Sequence, residues 1–335
     1  MIKKIFCLST LSILLLNCSS LQKIFTNDRN DFLFSSRYKE TQVFLIQADK
    51  DSQVKGEEGT IIHFPSSSLL GEDGKPLVGE VRVELSEYYS NADILLSGLS
   101  TTSGEKAIET KGMIRLEAYS SEGKKVRINK RNPLSIEFKN SPEPGYEIFY
   151  GKKKEDGSLD WTNDSLGWNS DISFAPAKTK AQATSPYPYS ETDGSIRINE
   201  REGFTLYNFG WINCDRFLGF SPIIPLYLNV LEEEVVKKNF EDRPIFLLIF
   251  KDISSIMPVY TDPNKRVLYF PNLPPGKKAT VIGWRKSGET KWLYWKKDLI
   301  IGEEDNLTPE WTSHSTKQLA KLLKEIKPDE PLAKK

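Results

Sequence analysis

Short runs of alternating apolar and polar residues, each closed by a turn signal, recur about every ten residues along the first half of this chain. That rhythm constrains the fold more than any other feature. Val81, Val83 and Leu85 alternate with Arg82, Glu84 and Ser86. Ile114, Leu116 and Ala118 alternate with Met113, Arg115, Glu117 and Tyr119, and Leu134 to Phe138 repeats the pattern. Period two puts one set of side chains on each face of an extended strand. Between the runs, Glu72-Asp73-Gly74-Lys75-Pro76 and Glu122-Gly123 supply the residues that turns require. Gln42 to Ile46 and Thr60 to Phe64 read as further strands, the second stopped by Pro65. Many short strands with such turns predict a β-sandwich.

A second set of strand signals follows a change of composition. Residues 175–193 are rich in Ala, Lys, Thr and Ser, with Pro186 and Pro188 between tyrosines, and read as a linker or exposed loop. Beyond it, Ile245 to Phe250 is uninterrupted apolar, the pattern of a strand buried on both faces. Val267 to Phe270, the Leu273-Pro274-Pro275-Gly276 turn, Ala279 to Trp284, Ser287-Gly288 and Trp292 to Trp295 continue it. Near the end, Ser315 and Gln318 form a capping box, and Leu319, Leu322, Leu323 and Ile326 make one apolar stripe, stopped by Pro328. This stripe is expected to dock on the second domain; a partner-binding helix is the alternative.

The expected fold class is all-β, two β-sandwich domains in tandem with a short C-terminal helix. Domain one covers 41–175, including an added hairpin around Ile148, Tyr150 and Asp156-Gly157. A linker with the Gly210 to Phe217 segment covers 176–220, domain two 221–312, and the helix 315–327.

The N-terminus carries a different signal. Lys3 and Lys4 precede twelve apolar-rich residues from Ile5 to Leu16, then Asn17 and Cys18. As a helix that run is about 18 Å long, too short for a hydrocarbon core of about 30 Å. A secretory signal covering 1–17 is expected instead. Leu15-Leu16-Asn17-Cys18 resembles a lipobox, with Asn17 where Gly, Ala or Ser is usual. The resemblance implies cleavage before Cys18 and acyl chains on that cysteine. Two such chains suffice for stable attachment to a bilayer. Ser19 follows with no acidic residue, which by analogy points to the outer membrane. The polar stretch 18–40 is expected to be a tether.

Three further segments carry resemblances. Gly59 to Pro65, Leu69, Gly79 to Leu85 and Leu134 to Phe138 resemble the β-sandwich shared by ankyrin, zonula occludens protein and the netrin receptor. That resemblance implies a module that binds protein partners or packs on its neighbours. Gly210-Trp211-Ile212-Asn213-Cys214-Asp215-Arg216-Phe217 is similar to a signature of bacterial surface lipoproteins of unassigned function. The strand, Leu-Pro-Pro-Gly, strand pattern from Val267 to Trp284 is similar to the prealbumin-like regulatory domain of carboxypeptidases, again without a catalytic centre.

The residue inventory excludes much chemistry. Of three cysteines, Cys7 falls in the signal and Cys18 in the anchor, so Cys214 is left without a partner for a disulfide. With His63 and His314 the only histidines, a His-based triad or multi-histidine zinc site is not expected. Basic and acidic residues balance at 46 each, which offers nucleic acid no broad positive field. Asn163-Asp164-Ser165, Asn169 and Asp171 are oxygen-rich, but without EF-hand spacing they read as a polar loop rather than a calcium site. Cys214 is expected in the core, and Asp215 with Arg216 as local charges that pin the linker. Trp284, Trp292, Tyr294 and Trp295 are the candidate binding surface, weighed against ordinary packing; alternation allows Trp292 to share a face only with Tyr294, and Trp295 only with Leu293. No cofactor or metal is expected. The function expected is a membrane-anchored envelope lipoprotein that acts as a binding or scaffolding module for protein or glycan, without catalysis. The alternative is an envelope hydrolase working through paired carboxylates.

Overall fold

A computed structural model describes residues 33–35, 38–139, 144–154, 158–163, 203–230, 243–262 and 267–326. The signal, Cys18, the 175–193 segment and most of the oxygen-rich loop lie outside the described residues.

Alternation sorts the side chains as the sequence requires. In the Glu80–Tyr88 strand, Val81, Val83 and Leu85 are fully buried while Arg82 and Glu84 between them are not. Six antiparallel strands make the larger sheet of the first sandwich, in the order Gln42–Gln47, Glu80–Tyr88, Lys106–Ser120, Gly210–Phe217, Glu147–Lys153 and Leu159–Thr162; the short Thr102–Ser103 strand folds back onto the third. Opposite lies a four-stranded sheet of Phe204–Leu206, Leu134–Glu137, Ile61–Phe64 and Ser52–Lys55. Ile62, Phe64, Val83, Leu85, Ile114, Leu116, Ile136 and Cys214 fill the space between them.

The second sandwich pairs a five-stranded sheet with a four-stranded one. The first runs Ile256–Pro258, Ile245–Phe250, Lys278–Lys286, Lys291–Ile300, Thr312–Ser315. The other runs Tyr260–Asp262, Val267–Leu273, Ile224–Leu228, Asn306–Leu307. The molecule is thus all-β with a short C-terminal helix.

Between the sandwiches lies a third apolar layer. Tyr88, Met113, Phe149 and Trp161 on the outer face of the first sandwich meet Leu247, Ile249, Ile282, Trp284 and Tyr294 of the second. The continuous apolar run Ile245–Phe250 is explained by this arrangement. Phe246, Leu248 and Phe250 enter the second core, and Leu247 and Ile249 enter the junction. Backbone bonds stitch the seam: the Thr101 N–H donates to the Ile256 carbonyl at 2.8 Å, and the Thr110 N–H to the Ser254 carbonyl at 3.0 Å.

Four expectations change. Gly210–Phe217, expected within a linker, is an interior strand of the first large sheet, bonded to Lys106–Ser120 on one side and Glu147–Lys153 on the other. Asp215 and Arg216 therefore pin no linker. Residues 33–35, expected within the tether, enter the junction: Phe34 stacks on Trp284 with ring centroids 4.6 Å apart, and its N–H donates to the Leu96 carbonyl at 2.7 Å. A helix, Asn91–Leu96, interrupts the strands of the first domain, capped by Ser90, whose hydroxyl accepts from the Asp93 N–H. The C-terminal helix, Thr316–Lys324 with the expected capping box, packs against this first-domain helix as well as the second domain. Its Leu319 and Leu323, with Ile326 just beyond, complete the junction layer.

Candidate functional site

The candidate aromatic surface is largely interior. Trp284 is buried in the junction, and Trp292, half-buried, takes the Phe34 ring edge-on at 5.7 Å and donates from its indole Nε1 to Thr316 at 3.1 Å. Tyr294 and Trp295 are only 5% and 6% exposed. Alternation splits them as expected: Trp292 and Tyr294 face the junction, Trp295 the second core. Packing, not a flat stacking platform, is their arrangement.

Beside them, a local departure from pairing opens a groove. Thr312–Ser315 pairs with the Lys291–Ile300 strand only over Lys291–Tyr294. Upstream, Pro309 has no N–H to give, and Asn306–Leu307 pairs instead with Tyr227–Leu228 in the opposite sheet. The chain between crosses from one sheet to the other. It leaves a groove of about 510 Å³ lined by Tyr294, Trp295, Lys296, Lys297, Thr308, Glu310, Thr312, His314 and Leu322. Part of the lining is held by local contacts: Thr312 Oγ1 donates to the Tyr294 carbonyl at 2.9 Å and lies 2.8 Å from His314 Nε2, whose ring stands edge-on to Tyr294. Lys297 is held at 2.8 Å by Glu304. Burial raises the Tyr294 hydroxyl to about 12, so it remains a proton donor across the physiological range. The lining offers hydroxyl, imidazole, ammonium and carboxylate groups. Sequence reasoning singled out Tyr294 and Trp295, but not Thr312 or Glu310, because the strand divergence at Pro309 depends on the opposite sheet.

The Gly210 to Arg216 segment gathers a second polar set. Gly210 opens the strand at φ 113, a left-handed value suited to glycine. Trp211 lies 5.3 Å from Tyr88 on the junction side. Arg216 pairs with Glu109 at 2.6 Å and covers the Tyr146 ring. Asn213, Cys214 and Asp215 are fully buried. Cys214 faces the core of the first sandwich, where burial pushes its thiol well up and leaves it protonated and inert.

Asp215 is the unusual member. Thr110 Oγ1 donates to Asn213 Oδ1 at 2.7 Å rather than to the carboxyl, and among the described residues neither Asp215 oxygen has a partner at hydrogen-bonding geometry. Burial drives this carboxyl well above the ordinary range; Thr110 and Asn213 nearby oppose that only in part, and the charge of Glu109 reinforces it. A raised acid beside a charged carboxylate is the electrostatic arrangement of acid–base catalysis. Here Glu109 is engaged by Arg216 and Asp215 is fully buried, so the pair is not open to a substrate.

The remaining candidates are separate. His63 Nε2 meets Glu137 at 2.9 Å on the smaller sheet of the first sandwich, while His314 lies in the second. Asn163 donates to Glu147 at 3.0 Å, and the rest of the oxygen-rich loop lies outside the described residues. Among the described residues no three His, Cys, Asp or Glu side chains converge as metal ligands, and no helix is long and apolar enough to cross a membrane. Cys18 lies outside the described residues.

No model of a known protein family matches this chain, and no curated protein matches it in sequence.

Proposed function

We propose that this chain is a lipid-anchored protein of the bacterial outer membrane that works by binding a protein or glycan, not by catalysis. One observation carries the binding reading. Two-domain proteins favour the domain interface for ligand clefts. Here that interface is filled by Tyr88, Met113, Phe149, Trp161, Ile282, Trp284 and the C-terminal helix. The body is therefore built to hold surfaces in fixed relation, not to close around a substrate. The groove at Tyr294 and His314 is lined by hydrogen-bonding groups, which suits a hydroxyl-rich or peptide ligand.

The anchor rests on the Lys3-Lys4, apolar run and Cys18 pattern. Metabolic labelling with a palmitate analogue tests it: the native chain takes up label, Cys18→Ala does not, and equal labelling of both would end the proposal. For the binding reading, the native full-length protein and His314→Ala are used to capture glycans and proteins from intact envelope. The native chain is expected to enrich a defined ligand, and the variant to lose most of that enrichment while melting at the same temperature. Turnover of an envelope glycan by the purified protein, abolished by a carboxylate-to-amide substitution, would establish the hydrolase instead.

A further inference from the structure

The Gln42–Gln47 strand forms one edge of the larger sheet in the first sandwich; among the described residues its only strand partner is Glu80–Tyr88. Ala48 donates its N–H to the Gly79 carbonyl at 2.9 Å, one step along that same register. Even-numbered residues therefore bond inward, and the N–H and C=O groups of Val43 and Leu45 point out from the sheet edge. Their side chains are also exposed, at 56% and 62%. Val43 and Leu45 lie on the outer face, while Phe44 lies half-buried against the core.

Sheet edges are normally guarded by charge, proline, brevity or cover. The other sheet edges among the described residues follow that rule. Ser52–Lys55, Leu159–Thr162 and Tyr260–Asp262 carry Lys55, Asp160 and Asp262; Ile256–Pro258 ends in proline and is bonded by Thr101. Phe204–Leu206 and Asn306–Leu307 are three and two residues long, and Thr312–Ser315 is wholly polar. Gln42–Gln47 has six residues with no charge and no proline, and high strand propensity.

We propose that this edge is the docking surface for a second copy of the same chain, paired antiparallel about a two-fold axis at Phe44. The strand is its own complement in that register. Val43 of each copy stands opposite Leu45 of the other, so both residues exchange their free amide and carbonyl groups. The four aliphatic side chains close into one patch on the outer face. Phe44 meets Phe44 on the core face, and no charged residue opposes another within the strand. A foreign extended peptide would satisfy the same backbone groups, but a second copy also brings aliphatic side chains to the outer face and Phe44 to the core face with no charge in the register. Six residues make a small interface, so the dimer is expected to be weak and concentration-dependent.

The inference stands independently of the anchor and of the Tyr294 groove. Across the proposed register the two Leu45 residues are diagonal neighbours, about 7–8 Å apart. Purified full-length Leu45→Cys at tens of micromolar, treated with a short bismaleimide, is expected to give a covalent dimer. The untreated sample and the native chain are run beside it to register any contribution of the other cysteines. Adding Val43→Lys is expected to reduce the cross-linked fraction at least tenfold with no change in melting temperature. Lys55→Cys, on another edge of the same domain, is expected to stay monomeric. The proposal is overturned if Leu45→Cys gives no dimer, if the dimer persists with Val43→Lys, if Lys55→Cys cross-links equally, or if the reaction in native membranes yields an adduct with a different polypeptide instead.

Discussion

The outer face of the first large sheet has two ends, and they differ in what covers them. At one end Tyr88, Met113, Phe149 and Trp161 lie beneath the second sandwich and the C-terminal helix. At the other, Val43 and Leu45 stand in solvent at an edge with free backbone groups. Both ends carry large apolar side chains, so hydrophobicity alone does not separate structure from surface. Cover does. The closed end joins two sandwiches into one body, and the open end is where that body has apolar area left for a partner.

Removing the cover should give the largest effect. Trp284 is the central side chain of the junction, touched by Phe34 from the N-terminal side. Trp284→Ala should cost about 3–5 kcal/mol. Because both sandwiches contribute to this layer, chemical denaturation should show both domains losing stability. Loss confined to the second domain would mean that the closed end does not couple them.

The next effect comes from Glu87, beside Tyr88 on the same strand. Its carboxylate accepts from the Glu58 and Thr60 N–H groups at 2.9 and 3.0 Å and from Gln42 at 2.8 Å, fastening the loop at residues 56–60. Glu87→Ala leaves those amides without an acceptor, at about 1–3 kcal/mol for each that stays buried. Burial alone would raise this carboxyl, but the donors hold it below the ordinary range. Its contribution is complete above pH ~4.3 and is lost as pH falls through the lower folded value.

Asp215 at the closed end has the opposite sign. Its folded pKa is raised, so its contribution is complete below pH ~3.9 and declines as pH rises from there toward the folded value. Asp215→Asn keeps the shape and removes the titration. Denaturation measured across this range should show the native stability falling relative to Asp215→Asn as pH rises. Parallel curves would show that Asp215 finds a charge-stabilising partner after all.

Smallest in stability is Leu45→Lys at the open end. An exposed side chain should shift folding by no more than about 0.5 kcal/mol. The same change places like charges across the proposed dimer, so association should fall while folding does not.

Legibility in the sequence follows the range of the interactions. The alternation of Val81, Val83 and Leu85, the run at Ile245–Phe250 and the Ser315–Gln318 capping box are written within a few residues, and each appears where expected. Gly210–Phe217 was hidden because its neighbours lie about 100 and 60 residues upstream, at Met113 and Phe149, and because Asn213 and Asp215 read as surface residues yet are fully buried. The Asn91–Leu96 helix is too short for periodicity to show, and its stability comes from packing on the C-terminal helix. The Tyr294 groove was only partly legible: aromatic residues marked the place, while its opening depends on a strand that changes sheets at Pro309.

Amide hydrogen exchange compares both ends in one experiment. The Thr101 and Thr110 amides, which cross the closed seam, should exchange slowly in the native chain and in Leu45→Lys alike. The Val43 and Leu45 amides should be protected in the concentrated native protein, and should lose that protection on dilution and in Leu45→Lys. Equal, rapid exchange of Val43 and Leu45 in the native chain at every concentration would contradict the assignment of the open end to a second copy.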